Sequence, residues 1–183
     1  MTTVKRIFQE KSQKWSVGEL VNMERSTTLL KESGTNMYSN MVSSQYVCIR
    51  ETTDGQDGIL VRGLGNIRQR HIMIVSGEPF IKDERDDLFV GKQYYSHPLP
   101  TADELKEVLD IVRTDENIQQ KLKAYGMQFD PNGTFWVSDT KAKFCGLKRD
   151  LQYYDTKTGR LATAKSPDEY HQRITVAFFR IQP

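Results

Sequence analysis

The pattern that most constrains the fold is a capped amphipathic segment that begins at Thr101. Its hydroxyl can accept a hydrogen bond from an amide of the first helical turn, and Glu104 follows at the capping-box spacing. Asp115 can cap a second helix, and Gly126 suits the left-handed residue that ends one. We therefore predict two consecutive helices over residues 101–126. The apolar stripe of the first helix consists of Leu105, Val108, Leu109 and Val112.

Runs of β-branched and aromatic residues, broken by turn residues, lie on both sides of the two helices. Alternation in the last run places Ile174, Val176 and Phe178 on one face. Phe179 and Ile181 fall on the other, so we expect both faces to be covered. These patterns predict an α+β fold with short antiparallel strands around two consecutive helices. The predicted strand runs are 46–49, 59–61, 71–75, 134–138, 152–154, 160–162 and 174–181.

The first 42 residues differ from the rest because they are polar and follow no single period. Ser16 and Glu19 have the capping-box spacing, which predicts a helix that begins near residue 16. We therefore divide the chain into a partly helical N-terminal arm, 1–42, and a domain, 43–183. Since a polar terminus is ordered only where it docks, we expect the arm to contact the domain or another chain. Its anchor residues for docking and assembly are Ile7, Phe8 and Trp15.

Composition excludes several classes of protein. A chain of 183 residues with 27% charged residues has the balance of a single globular domain. The formal net charge of +2 is too small to indicate a nucleic-acid or membrane surface by itself. No run approaches the roughly 18 apolar residues of a membrane span. Cys48 and Cys145 are too far apart in sequence for a metal-binding motif or a small disulfide framework, and the first residues lack the apolar core of a secretory signal peptide.

Residue types that carry catalysis or bind metals occur without the spacing that these activities require. His71, His97 and His171 form no metal-binding pair. Cys145 has basic neighbours, but the sequence places no histidine to act as its base. The glycine-containing segment 62–68 lacks the third glycine of a dinucleotide-binding loop. We expect no catalytic residue, no metal and no cofactor. An enzyme would need His97 or His171, a carboxylate and Cys145 within hydrogen-bonding reach.

The residues that follow Phe135 are the best candidates for a recognition surface. Between 141 and 173 there are eight basic and four acidic side chains, a local net charge of +4, with aromatic residues among them. Aromatic rings can stack on a sugar or anchor a protein contact, while Arg and Lys supply the polar rim. The alternative is that Trp136 belongs to the core and the lysines are solvated. The candidate partner-binding residues are Trp136, Asp139, Lys141, Arg149, Tyr153, Tyr154 and Arg160.

Three motifs follow one another along the chain: Leu-Pro-Thr-x-x-Glu-Leu at 99–105, Trp-x-Ser at 136–138 and Phe-Phe-Arg at 178–180. In this order they resemble the bacterial and phage C-type-lectin-like domains related to the formylglycine-generating-enzyme fold. The resemblance covers residues 45–182 and implies a lectin-like domain with displayed loops. Calcium-dependent sugar-binding lectins carry motifs that segments 78–80 and 136–138 do not match. Formylglycine-generating enzymes use neighbouring cysteines, and Cys145 has no such neighbour.

The sequence thus favours a non-enzymatic binding or structural module. We expect it to belong to a larger assembly, such as a phage virion or tail, and to serve attachment to a host. One alternative is a cell-surface or fimbrial adhesin, and another is an enzyme on the formylglycine-generating-enzyme-like fold. The expected partners are proteins, including further copies of the chain, with a glycan as a further candidate; neither nucleic acid nor a membrane span is expected. The expected location is the virion if the chain is phage-encoded, and otherwise the cell surface or the cytoplasm.

Overall fold

The structure, a computed structural model, describes residues 7–10, 14–31, 37–75, 78–82, 93–96, 98–139 and 151–181. The strands are β1 Ile7–Glu10, β2 Leu20–Lys31, β3 Met37–Arg50, β4 Gly58–Arg68, β5 Ile72–Val75, β6 Glu78–Lys82, β7 Gln93–Ser96, β8 Thr134–Trp136, β9 Gln152–Asp155, β10 Arg160–Thr163 and β11 Tyr170–Ile181. The helices are α1 Ala102–Thr114 and α2 Glu116–Ala124, and a short 3-10 turn, Gln69–His71, precedes β5. Every predicted strand run overlaps a strand and both predicted helices are present, so the α+β class is confirmed. No helix in these ranges is both long and apolar enough to cross a membrane.

The described strands form a mixed sheet in the order β10-β9-β8-β11-β4-β3-β2-β7-β6-β5. One edge of β11 pairs antiparallel with β4, and its other edge is shared by β8 near Gln172 and by β1 near Phe178, both parallel to it. The expectation of short antiparallel strands is wrong for the centre of the sheet. There β2, β3, β4 and β11 contain 11 to 14 residues, because β2 and β3 pair continuously from Leu20 to Leu30.

Both helix starts follow from local capping. Thr101 Oγ1 accepts the amide of Glu104 at 3.2 Å, and the Glu104 carboxylate accepts the amide of Thr101 at 2.9 Å, which confirms the predicted capping box. The Asp115 carboxylate accepts the amides of Asn117 and Ile118 at the start of α2. The predicted apolar stripe of α1 is buried, so the helices are held to the sheet mainly by hydrophobic packing.

The main core lies between the helices and one face of the sheet. Ile174, Val176 and Phe178 point to this side from β11, as their alternation predicts. Phe179 belongs to a cluster on the opposite face, so both faces of β11 are covered. The sheet contributes Val47, Ile49, Ile59, Val61, Phe135 and Tyr154 to the main core, Val137 joins it directly after β8, and the helical segment contributes Leu105, Val108, Leu109, Val112, Ile118 and Leu122.

The opposite face of the sheet carries two further clusters. One of them contains Trp15 and Phe179, and the other contains Trp136 of β8 together with Ile72 of β5 and Ile81 of β6. Since β5 and β6 stand at the far end of the strand order from β8, the sheet must curl until its two ends share one core. This topology confirms the α+β class but does not test the C-type-lectin-like fold, which stays a prediction.

The predicted helix near residue 16 is wrong. Ser16 and Glu19 instead close a turn, in which the Ser16 amide donates to the Glu19 carboxylate at 2.9 Å and the Glu19 amide donates to the Ser16 carbonyl at 3.0 Å. β2 begins directly afterwards, with Val21 and Met23 buried. The capping-box spacing is local and also suits an isolated turn, whereas pairing with β3 commits the following residues to a strand.

Candidate functional site

Two aromatic residues of the predicted recognition surface point into the protein. Trp136 is 0% exposed, and its indole N–H donates to the carbonyl of Ile67 at 2.8 Å. Tyr154 is buried in the main core, and the Nζ of Lys106 lies 5.5 Å from its ring centroid. This burial removes both rings from the predicted surface and agrees with the alternative that Trp136 belongs to the core.

The two described polar residues of the same predicted surface, Asp139 and Arg160, lie in different places. The Asp139 carboxylate accepts the amide of Ala102 at 2.8 Å, so it caps α1. Arg160 is exposed on β10, at an end of the strand order, and it stays a candidate for surface contact. Lys141 and Arg149 lie outside the described residues. Trp136 and Tyr154 therefore belong to the core, Asp139 to a helix cap and Arg160 to a strand at the end of the sheet.

The anchor residues of the predicted arm contact their own chain. In the parallel pairing of β1 with β11, Ile7 lies opposite Phe178 and Phe8 lies opposite Phe179. Trp15 is 7% exposed, and its ring packs edge-on against Phe179 with 4.8 Å between centroids. Trp15 therefore has little surface left for an assembly contact. The proposed boundary at residue 42 stays a prediction, and β3 runs across that position.

A partly buried network of hydrogen bonds and ring contacts joins β8, β9 and β11 around His171. The side chain is 8% exposed, with Nδ1 2.6 Å from Thr134 Oγ1 and Nε2 3.1 Å from Glu169 Oε1. Tyr153 stacks on the imidazole at 3.8 Å between ring centroids, and Trp136 makes a T-shaped contact at 4.6 Å. Tyr153, a predicted partner residue, is thus half-buried against His171.

The directions of the pKa shifts of Glu169 and His171 indicate how this network is protonated. Burial lowers the pKa of His171, and the hydrogen bond and charge of Glu169 oppose that shift without reversing it. Burial raises the pKa of Glu169, but hydrogen bonds from the Lys165 amide and from His171 outweigh it, so the net shift is downward. Glu169 is therefore an ionised acceptor at neutral pH. Neutral His171 donates to it from Nε2, and Nδ1 accepts from the Thr134 hydroxyl.

The Thr134 hydroxyl, the His171 imidazole and the Glu169 carboxylate are hydrogen-bonded in series. Nucleophilic catalysis uses the same order of nucleophile, base and orienting group. His171 and Glu169 satisfy part of the requirement for an enzyme, whereas His97 and Cys145 lie outside the described residues. Cys48 is fully buried, and burial raises its pKa to about 12, so it is a neutral core thiol. Among the side chains that the structure describes, no three His, Cys, Asp or Glu converge on a point where a metal ion could bind.

A cleft of about 470 Å³ opens between α2, the loop that follows it and a bulged part of β4. Val112, Leu122 and Phe129 lie at its base, where each is buried and leaves little apolar surface open to the cleft. The bulge lies where the pairing of β4 with β11 shifts register, and Gly65 there has φ +80°, in the left-handed region that suits glycine. The polar rim consists of Asn66, Gln119, Gln128, Asp130 and Gln172.

Hydrogen bonds fix part of this rim and leave part of it open. The Gln172 side chain accepts from the Asp130 amide at 2.6 Å and donates to the Asp130 carbonyl at 2.9 Å. One carboxylate oxygen of Asp130 accepts an amide of the following turn, which leaves the other open. Asn66 and Gln128 are exposed, and within the described ranges their side-chain amides have no hydrogen-bond partner. The cleft therefore presents donors and acceptors that a ligand could use.

Sequence reasoning missed both the cleft and the His171 network. Glu169 and His171 are two residues apart at the start of a strand, where alternation turns them to one side, and this was the available local signal. Asn66 gives no such signal with Gln128 and Asp130, because it lies on β4 and they lie in the loop after α2. The pairing of β4 with β11 and the packing of the loop after α2 bring them together.

Comparison of the chain with protein-family models, with curated proteins and with solved structures finds no match. Its function is therefore argued from its own geometry.

Proposed function

We propose that this chain is a non-enzymatic binding module whose ligand occupies the cleft beside α2. The proposal is carried by the open hydrogen-bonding groups of Asn66, Gln128 and Asp130, which converge on the cleft. The volume of the cleft falls within the about 300–1,000 Å³ of small-ligand sites, in which a few convergent polar groups fix the ligand. A C-type-lectin-like fold, which the sequence motifs suggest, is consistent with such a role.

The cleft is held in shape by contacts that need no ligand. Gln172 ties the loop to β11, and the Arg113 guanidinium donates to the carbonyl of Pro131 at 2.8 Å. Gly63 of β4 has no room for a side chain, because an added Cβ would collide with the carbonyl oxygen of Met127. A site that is formed in advance loses little conformational entropy when a ligand binds.

The test is an NMR titration of the isotope-labelled chain with a library of neutral sugars, anionic metabolites and short peptides. We expect at least one class to shift the backbone amide signals of Gly65, Asn66 and Gln128. Gln128→Trp should occlude the cleft and remove the response. Gln56→Trp, at an exposed turn outside the cleft, is the matched control and should preserve it. A library in which no class shifts the cleft signals would contradict the proposal.

We also propose the setting that the sequence favours, a component of a phage virion or tail, with a cell-surface or fimbrial adhesin as the alternative. β1 and Trp15 are engaged by their own chain, so assembly contacts would have to use other surfaces. Mass spectrometry of purified virions against cell-surface and cytosolic fractions distinguishes the two settings. Recovery in the cytosolic fraction alone would contradict both.

A second candidate, an enzyme, is favoured by the series Thr134, His171 and Glu169. With p-nitrophenyl acetate as probe, Thr134 Oγ1 would form a bond to the acetyl carbon, its proton would pass to His171 Nδ1, and p-nitrophenolate would leave. Thr134→Val should then abolish acetylation, and Thr158→Val, an exposed control, should not. The burial of His171 beneath Tyr153 and Trp136 weighs against this candidate, and an unacetylated wild-type chain would exclude it for this class of ester.

A further inference from the structure

We infer that the outer edge of β10 binds an acidic extended segment of a protein partner, which adds to the sheet as a further strand. β10 stands at one end of the strand order, and none of its residues, Arg160–Thr163, is buried. β5 stands at the other end, where Ile72 and Ile74 are buried in one cluster with Trp136. The curl of the sheet therefore covers one end and leaves the other open. This edge is separate from the cleft, because no residue of β10 lines the cleft.

The backbone of β10 has hydrogen-bonding groups that point away from its neighbour β9. The pairing of the two strands continues one step beyond Thr163, where the Ala164 amide donates to the Leu151 carbonyl at 2.9 Å. Opposite pairs in an antiparallel ladder alternate between hydrogen-bonded and non-hydrogen-bonded, so Ala162 also bonds to β9. Leu161 and Thr163 therefore turn their N–H and C=O groups outward. No strand of the described ranges pairs with that side, so a further strand could bond to these groups.

The side chains of the same edge favour a strand with an apolar residue opposite Leu161. Leu161 lies opposite Tyr154 and Tyr154 opposite Phe135, so the three side chains form one row on the face that carries the main core. Phe135 and Tyr154 are buried, but Leu161 is 41% exposed. An apolar side chain of an added strand would continue this row and shield Leu161 from water. The pairing of β10 with β9 contains no bulge, and β10 contains no proline that would oppose the addition of a strand.

The charge of the hairpin that β9 and β10 form favours an acidic partner. Residues 152–165 have a net charge of +2, from Lys157, Arg160, Lys165 and Asp155. Asp155 lies opposite Arg160 and offsets part of the positive charge, and Glu169, which accepts the Lys165 amide at 2.7 Å, offsets the charge at the other end. The excess that remains is at the turn, where Lys157 and Arg160 are exposed. An acidic residue of the partner beside Arg160 would meet this excess.

A second copy of the chain fits the same edge less well. Antiparallel pairing of two copies around Ala162 would place Arg160 of each copy opposite Ala164 of the other, with Lys165 next to it. Neither residue offers a negative charge, and Glu169 is already hydrogen-bonded at both carboxylate oxygens. Basic side chains at a strand edge oppose such association of identical chains. The charge of the edge therefore selects an acidic strand over a second copy.

The experiment is an NMR titration of the isotope-labelled chain with the peptide Thr-Val-Thr-Val-Glu-Glu, capped at both ends. In an antiparallel register its valines lie opposite Leu161 and Thr163, and its first glutamate lies opposite Arg160. We expect the peptide to shift the amide signals of Leu161 and Thr163 and to slow the exchange of these amides with deuterium, because both N–H groups gain an acceptor. Replacing both glutamates with lysine should weaken binding at least about fivefold. N-methylation of both valines removes the donors to the outward carbonyls and should abolish the response.

Two variants of the chain test whether Arg160 selects the acidic peptide. Arg160→Glu should weaken binding of that peptide about tenfold and reverse the preference between the glutamate and lysine peptides. Lys123→Glu makes the same change of charge at an exposed position of α2, so it is the matched control and should leave binding unchanged. Circular dichroism should find both variants folded like the wild type, because both positions are exposed.

The outcomes separate this inference from the proposed function of the cleft. Equal binding of the N-methylated peptide would overturn strand addition, and equal binding of the lysine peptide would overturn the acidic partner. A dimer in sedimentation that protects the Leu161 and Thr163 amides without any peptide would make the occupant a second copy. A response confined to Gly65, Asn66 and Gln128 would overturn the edge and support the cleft. If the acidic peptide shifts no signal, this inference fails while the proposed function stands or falls with its own library.

Discussion

We expect His171 to make the stability of the fold depend on pH. Thr134 and Trp136 face it from β8, Tyr153 and Asp155 lie toward it on β9, and Glu169 precedes it. Burial lowers its pKa below the ordinary value of 6.5, so the unfolded chain binds a proton more readily than the folded chain does. We therefore expect the free energy of unfolding to fall as the pH decreases below about 6.5. Urea denaturation at about pH 7.5 and about pH 5.5 measures the change.

Two variants and a second titration isolate the contribution of His171. His171→Gln removes the titrating ring and should flatten the dependence between these pH values, whereas His71→Gln should keep it. Glu169 acts at lower pH. Since its pKa lies below the ordinary value of 4.5, its stabilising contribution is present above that value and is lost as the pH falls through the folded pKa. Equal stability of the wild type at both pH values would contradict the assignment.

Trp136 and Arg160 belonged to the same predicted surface, and substitution separates their roles. Trp136→Phe loses packing volume and the hydrogen bond to the carbonyl of Ile67. We expect it to lower the free energy of unfolding by about 1–3 kcal/mol. Arg160→Ala, at an exposed position, should change it by less than about 0.5 kcal/mol. Chemical denaturation of both variants measures the contrast, and a Trp136→Phe variant as stable as the wild type would show that the ring is not an essential part of the core.

At the scale of elements, the start of α1 is held from two directions. Thr101 caps it from the position directly before the helix. Asp139, which follows β8, accepts the amide of Ala102 at 2.8 Å. Asp139→Ala leaves that amide without its acceptor, so we expect a loss of about 1 kcal/mol in the free energy of unfolding. Asp139→Asn keeps an accepting oxygen and should lose less. Thermal denaturation compares the two, and identical losses would mean that charge alone, through the helix dipole, accounts for the effect.

The elements that sequence predicts well are those whose causes are local. Thr101, Glu104 and the apolar stripe lie within one helix, so capping and periodicity were sufficient to predict it. The alternation of Phe178 and Phe179 likewise predicted which side of β11 each faces. The helix predicted after Ser16 was wrong, because pairing with β3 decides the conformation of that segment.

At the scale of the whole molecule, the candidate site depends on contacts that no local pattern encodes. Asn66 and Gln128 meet only because the bulged part of β4 stands beside the loop that follows α2. Trp136 looked suited to a recognition surface because it precedes a basic segment, but the curling of the sheet brings β5 over it. The class of fold could thus be predicted from sequence, while the length of the strands and the position of the cleft could not.

The N-terminal segment is part of the same cooperative unit as the sheet. β1 pairs with β11, and Trp15 packs on Phe179 of that strand, whose other edge carries β4. We expect Trp15→Ala to lower the free energy of unfolding by about 3–5 kcal/mol. Because the ring contacts the central strand, the loss should appear as a shift of one transition and not as a separate early step.

Urea denaturation followed by both tryptophan fluorescence and far-ultraviolet circular dichroism tests this expectation. Val17→Ala, at an exposed position in the same turn, is the matched control and should change stability little. Sedimentation should find the wild type monomeric. The segment should resist protease in that monomer, as docking on its own chain requires. Two separated transitions, or protection of the segment only in an oligomer, would mean that Trp15 is held by a partner chain. The anchors would then serve the assembly that the sequence suggested.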